Sequence, residues 1–147
     1  MKGEVSMSWL TFAILSAIFA ALVSIFGKIG LQNVDSNTAT AIRAVIMTIF
    51  LFGVVFFQGN LGKIPEIMED RKALLFIILS GVAGATSWIF YFLALKVGEV
   101  SKVAPIDKLS VVLAAVLALF FLGEKISLLN GAGIALITIG VILTALS

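Results

Sequence analysis

Apolar residues in this chain come in long blocks rather than alternating or marking one helical face, and short polar breaks separate the blocks. A run of about 20 apolar residues, rising 1.5 Å per residue as a helix, matches the roughly 30 Å hydrocarbon core of a bilayer. The pattern predicts spanning helices over residues 8–27, 38–57, 73–95, 102–122 and 127–145. Between them, Asn33, Asp35 and Ser36 are turn or cap residues, and Gln58-Gly59-Asn60, Gly98-Glu99 and Gly123-Glu124-Lys125 are breaks. The expected fold class is an all-α membrane protein of five transmembrane helices, forming one domain over residues 1–147. The tight third and fourth breaks make consecutive helices antiparallel neighbours.

The second break opens the one longer loop, residues 59–72. There Pro65 and the residues Ile64, Ile67 and Met68 suit either one interfacial helical turn or a solvated linker. At the N-terminus Lys2 and Ala17-Ile18-Phe19-Ala20 loosely resemble a cleaved signal. The apolar run continues through Phe26 and four more spans follow, so a retained first helix is expected.

Composition agrees with this pattern and narrows the chemistry. Of 147 residues, 61% are hydrophobic and 12% charged, with a mean hydropathy of +1.22. Soluble domains carry about twice that share of charge. Cysteine and histidine are both absent. Thiol nucleophiles, disulfides, histidine acid–base chemistry and the commonest soft metal ligands are therefore excluded. No catalytic residue, metal site or cofactor is expected, and no nucleophile–base set points to an enzyme. A net charge of +2 is too small and dispersed for nucleic acid.

Polar residues inside the spans are then the candidate chemistry, because an ionisable group in hydrocarbon costs about 2.5–3.5 kcal/mol on insertion scales. Arg43 lies about 7–8 Å along the second helix and is the only charge there. It either snorkels to the headgroups or binds an anionic or carboxylate substrate in bidentate fashion. Lys102 to Lys108 places Pro105, Asp107 and two lysines at the head of the fourth apolar run. Pro105 either interrupts that helix or, as an early-turn residue, opens it near Ala104 with Asp107 and Lys108 in the first turn; the five-span frame favours the second. Asp107 and Lys108, being adjacent, point about 100° apart on a regular helix and form either substrate contacts or a structural ion pair. Trp88 and Tyr91 share a face of the third helix and either pack or line a cavity. Lys28 closes the first helix, where a snorkelling lysine is dipole-favoured.

Small residues recur at i, i+4 spacing: Ala13/Ala17/Ala21, Gly81/Ala85, Ser110/Ala114/Ala118 and Gly131/Ala135. They permit close helix packing in lipid. With five spans, one side of the membrane carries Lys2, Lys63, Arg71, Lys72 and Lys125, and the other Lys28, Arg43, Lys96, Lys102 and Lys108. Setting aside Arg43 and Lys108 as intramembrane leaves five against three, a weak vote for a cytoplasmic N-terminus. The lack of a strong orientation signal leads to the expectation that two copies can insert in opposite directions.

Tyr91-Phe92-Leu93-Ala94-Leu95-Lys96, Pro105, Phe121-Leu122-Gly123-Glu124-Lys125 and the glycine-rich stretch from Gly131 to Val141 together resemble an EamA-type domain of the drug/metabolite transporter superfamily. Arg43 also falls where such domains often carry an arginine. Most members are ten-span proteins built from two such domains of inverted topology. The resemblance thus implies an antiparallel homodimer, or a pairing with a second half-size homologue, around a central cavity. The resulting expectation is alternating-access transport of a small polar metabolite across the cell (inner) membrane, with Arg43, Asp107 and Lys108 supplying polar contacts to substrate, Trp88 and Tyr91 shaping the cavity, and membrane lipid around it. A lipid-linked carrier flippase and a non-transporting scaffold subunit are the alternatives. Four-span relatives couple efflux through a first-helix glutamate, which this first span lacks.

Overall fold

A computed structural model describes residues 2–147, and side chains from Trp9 onward. The side chain of Lys2, used in the charge balance, lies outside the described residues. Among them the secondary structure is entirely helical: α1 (Lys2–Gly30), α2 (Ser36–Phe57), α3 (Ile64–Glu69), α4 (Arg71–Val97), α5 (Val100–Asp107), α6 (Leu109–Leu117) and α7 (Leu128–Leu146). A 3-10 turn, Leu61–Lys63, precedes α3, and a π-helical turn, Ala118–Leu122, continues α6. Five stretches are long and apolar enough to cross a membrane: Trp9–Gly30, α2, α4, Val100–Leu122 and α7. Apart from the extension of α1 back to Lys2, the helix ends fall within three residues of the apolar blocks.

The ends are set by identifiable residues. Asp35, extended at the head of α2, accepts the Thr38 N–H and the Thr38 hydroxyl, each at 2.8 Å. Those bonds, the backbone one first, hold its carboxyl below the usual carboxylate range. The cap is therefore complete above the ordinary aspartate pKa and is lost as pH falls through the depressed value. Asp70 accepts the Lys72 and Ala73 N–H groups at 3.0 Å to start α4, and Ser127 accepts from Asn130 at 3.2 Å to start α7. Gly59 and Gly123 take φ of +70° and +67°, where a Cβ is strained, and turn the chain after α2 and after the π turn.

The chain forms two compact units, residues 28–96, and residues up to 27 together with 97–147. In the first, Leu31, Ser36, Phe92 and Leu95 are all but fully buried, and Thr40 nearly so. These residues put the core of this unit at the start of α2 and the end of α4. Two lysines close it. Lys28 Nζ donates to Leu95 O at 2.7 Å and reaches Lys96 O at 3.5 Å, while Lys96 Nζ donates to Val34 O at 2.7 Å. Lys28 therefore serves the carbonyl end of α4, beyond the end of its own helix.

In the second unit α7 packs against both α5 and α6, so the fourth and fifth spans are packed neighbours. Val141 is buried there, and Gly131 leaves room beside Ile126, whose nearest atom is 3.8 Å from where a Cβ would stand. The fourth span departs from the expectation that Pro105 opens it. The helix begins at Val100 behind an extended Glu99, and Pro105 lies inside it. The reason is local: Gly98-Glu99 already supplies the break, so the helix starts there, and Pro105 lacks only the N–H that would have bonded Ser101 O. The ladder then tightens at Lys108, where Lys108 N–H donates to Pro105 O and Val111 N–H to Lys108 O, each at 3.0 Å. The span is interrupted at its charged residues. Elsewhere, the loop after α2 does form its helical turn, with Pro65 in the first turn of α3.

Candidate functional site

Arg43 occupies the eighth position of α2, within the unit formed by residues 28–96. Its guanidinium carbon lies 3.5 Å from the centroid of the Phe92 ring on α4. Phe92 is completely buried, and the Tyr91 ring meets it edge-on at 5.4 Å. The cation thus rests on a fixed aromatic face, an interaction worth about 2 kcal/mol when desolvated. One of its terminal nitrogens, Nη1, is buried with no hydrogen-bond acceptor. A charged donor without an acceptor is costly in hydrocarbon. An anion that reached this group would recover that cost. Sequence reasoning had no means of selecting Phe92 as the platform, although it lies one turn after Trp88 and beside Tyr91.

Trp88 belongs to a different feature of the same unit. A groove of about 470 Å³ runs between α2 and α4. Its α2 wall is the helical face Asn37, Thr40/Ala41, Ala44, Met47/Thr48 and Leu51, and Gly81, Gly84, Ala85 and Trp88 stand on α4. Small residues open it and Trp88 closes one end of the α4 wall. The Thr40 and Thr48 hydroxyls donate to Ser36 O and Ala44 O at 2.8 Å, which leaves their oxygens as acceptors. Arg43 and Tyr91 are not among the lining residues. The expected aromatic pair therefore divides: Tyr91 supports the ring beneath Arg43, and Trp88 faces the groove.

Asp107 and Lys108 belong to the other unit. Lys108 Nζ lies 3.2 Å from Asp107 Oδ2, with both side chains partly exposed. The two side chains thus form an ion pair with each other although they are chain neighbours, the lysine stem spanning the gap. An ion pair this exposed contributes little to stability, about 0–1 kcal/mol. No group of three or more acidic, cysteine or histidine ligands able to hold a metal occurs among the described residues.

The family model of EamA-like transporters matches residues 7–146. The chain belongs to the EamA-like transporter family. It is similar to an uncharacterized transporter in the cobO 3' region of a Sinorhizobium species, 44% identical over 95% of this chain and 98% of that one. It also resembles the uncharacterized transporter YvbV of Bacillus subtilis, 29% identical over 96% of this chain but 46% of the Bacillus protein. Protein MJ1333.1 of Methanocaldococcus jannaschii is 33% identical over 55% of this chain and 59% of its own. No solved structure matches significantly. With five membrane-length helices, this EamA-like chain is an integral multi-pass membrane protein and a membrane transporter.

Proposed function

We propose that this EamA-like chain transports a small polar metabolite bearing an anionic group, by alternating access, as one half of a dimer of half-size domains in the cell's inner membrane. The observation that carries the substrate class is the Arg43 guanidinium, held on Phe92 with Nη1 buried and unpaired. A carboxylate or phosphate is the acceptor that matches a guanidinium in charge and geometry. Trp88, in the α2–α4 groove, and Tyr91, behind Phe92, shape the surroundings in this reading; Asp107 and Lys108 add polar contacts. The dimer is supported by the match to less than half of YvbV, which leaves room there for a second domain. A relative of the same span as this chain, from Sinorhizobium, supports two separate copies.

The test is Arg43→Ala, with Arg43→Lys and Phe92→Leu beside it. A panel of small anions and zwitterions is first screened for thermal stabilisation of the purified protein, since a ligand that binds only the folded state raises its melting temperature. Any hit is then followed into vesicles. Arg43→Ala should lose at least tenfold in uptake while keeping the wild-type elution volume, as expected for loss of a charge-assisted bidentate contact of about 1.5–3 kcal/mol. Arg43→Lys should restore only part, because an ammonium cannot reproduce the fork. Full transport by Arg43→Ala would refute the assignment.

A further inference from the structure

A second groove, which shares Leu51 with the first but is lined by neither Arg43 nor Trp88, lies where α2 ends. Leu51, Phe52 and Val55 form one wall, Ile64 and Ile67 of α3 form another, and Asn60 and Lys63 complete the lining, around about 410 Å³. The chain makes it by turning back. Asn60 N–H donates to Val55 O at 3.0 Å behind the left-handed Gly59, and the 3-10 turn leads directly into α3. Ile64 and Ile67 are three apart and share one face of α3. Glu66 and Glu69 fall on the opposite side by the same spacing, and neither lines the groove. Asp70 is occupied as the cap of α4. Lys63 is therefore the one charged side chain in the lining. Among the described residues nothing pairs with its ammonium.

Depth decides what such a groove fits. It begins beyond the end of a membrane-length helix, at headgroup level, and descends to Leu51, six residues before that end or about 9 Å along the axis. A water-soluble solute would have to desolvate against five apolar side chains. A lipid would not, since its chain already lies in hydrocarbon and its phosphate already lies at the level of Lys63. We propose that this groove holds an anionic glycerophospholipid, one acyl chain along Leu51, Val55 and Ile67 and the phosphate on Lys63, beside the Asn60 amide, one of whose Nδ2 hydrogens is given to Gln58 Oε1 at 3.3 Å. The site is independent of the transport reading and stands or falls without it.

The experiment is native mass spectrometry of the full-length protein, purified from mixed micelles holding equal amounts of phosphatidylglycerol and phosphatidylcholine. The wild type should retain one phosphatidylglycerol per chain with about fivefold preference, the ratio expected from one lysine contact near 1 kcal/mol. Lys63→Gln should abolish the preference, and Ile67→Trp, which fills the groove, should lower retention of both lipids. Circular dichroism of each variant checks that its helices are intact. Equal retention of the two lipids by the wild type, or unchanged preference in Lys63→Gln, overturns the proposal. So does full competition by millimolar glycerol phosphate or inorganic phosphate, which would make this a phosphate site without a lipid chain. Loss of a dimer, with no lipid released, in Ile67→Trp would assign the groove to a second copy and overturn it equally.

Discussion

Single side chains here gain their meaning from residues far away in sequence. Arg43 is 49 positions from Phe92, and Lys28 is 67 from Leu95, yet each cation has a defined seat. A lysine ending a helix is ordinarily free to reach the headgroups. Lys28 instead satisfies a carbonyl at the end of α4, where last-turn acceptors have no partner in their own helix. Hydrogen bonds to charged groups contribute about 1.5–3 kcal/mol, less where the donor is half in water. Lys28→Met, which keeps the apolar stem, should therefore destabilise the protein by about 1 kcal/mol. The check is a lower melting temperature in detergent by circular dichroism; a melting temperature equal to the wild type would show that solvent replaces the bond at no cost.

Elements divide into those that the sequence makes legible and those that it does not. The five spans are legible because hydrocarbon demands both length and apolarity, and few other folds present such blocks. Asp35, Gly98-Glu99 and Gly123 are legible because caps and breaks use short-range chemistry. The interior of the fourth span is not: Pro105 fits the first turn of a helix as well as its middle, and only the extended Glu99 behind Val100 decides between them. The π turn from Ala118 to Leu122 carries no signal in its apolar residues either. Of the candidate site, Arg43 was legible as the lone charge of its helix, whereas its platform Phe92 depends on how α2 meets α4. The turn that ends the π segment offers a clean test. Gly123 has φ +67° and no atom within 4 Å of an added Cβ, so its requirement is conformational and not steric. Gly123→Ala should cost about 1–2 kcal/mol, the penalty of the left-handed region for an L-residue. Gly123→Asn should cost less, because asparagine tolerates that region. Equal melting temperatures for wild type and Gly123→Ala would show that the turn can be remade with φ negative.

At the scale of the whole molecule, the exposed surface is mostly aliphatic and aromatic, from Trp9 and Phe12 on α1 to Leu143 and Leu146 on α7. Only Leu31, Phe92, Leu95 and Val141 are buried hydrophobics among the described residues. Lipid and other protein surfaces, a second copy among them, are the environments that can accept so much apolar surface. Charge bears on how such copies would be arranged. Counted over five spans, Lys2, Lys63, Arg71, Lys72 and Lys125 are assigned to one side of the membrane and Lys28, Lys96 and Lys102 to the other. Lys28 and Lys96 are already engaged with backbone carbonyls, and orientation is set by basic residues in short loops near the span ends. An excess of five over three is a weak orientation signal, and the proposed antiparallel pair requires both orientations. A reporter fused after Ser147 should accordingly be found on both faces of the membrane in comparable amounts. Two lysines added to the loop between α2 and α4 should move it to one face, and transport should fall with the loss of mixed orientation. It should return when a copy biased the other way is co-expressed. A reporter confined to one face in cells that transport at the wild-type rate would rule out the antiparallel pair, and would leave a parallel pair or a different partner as the assembly that works.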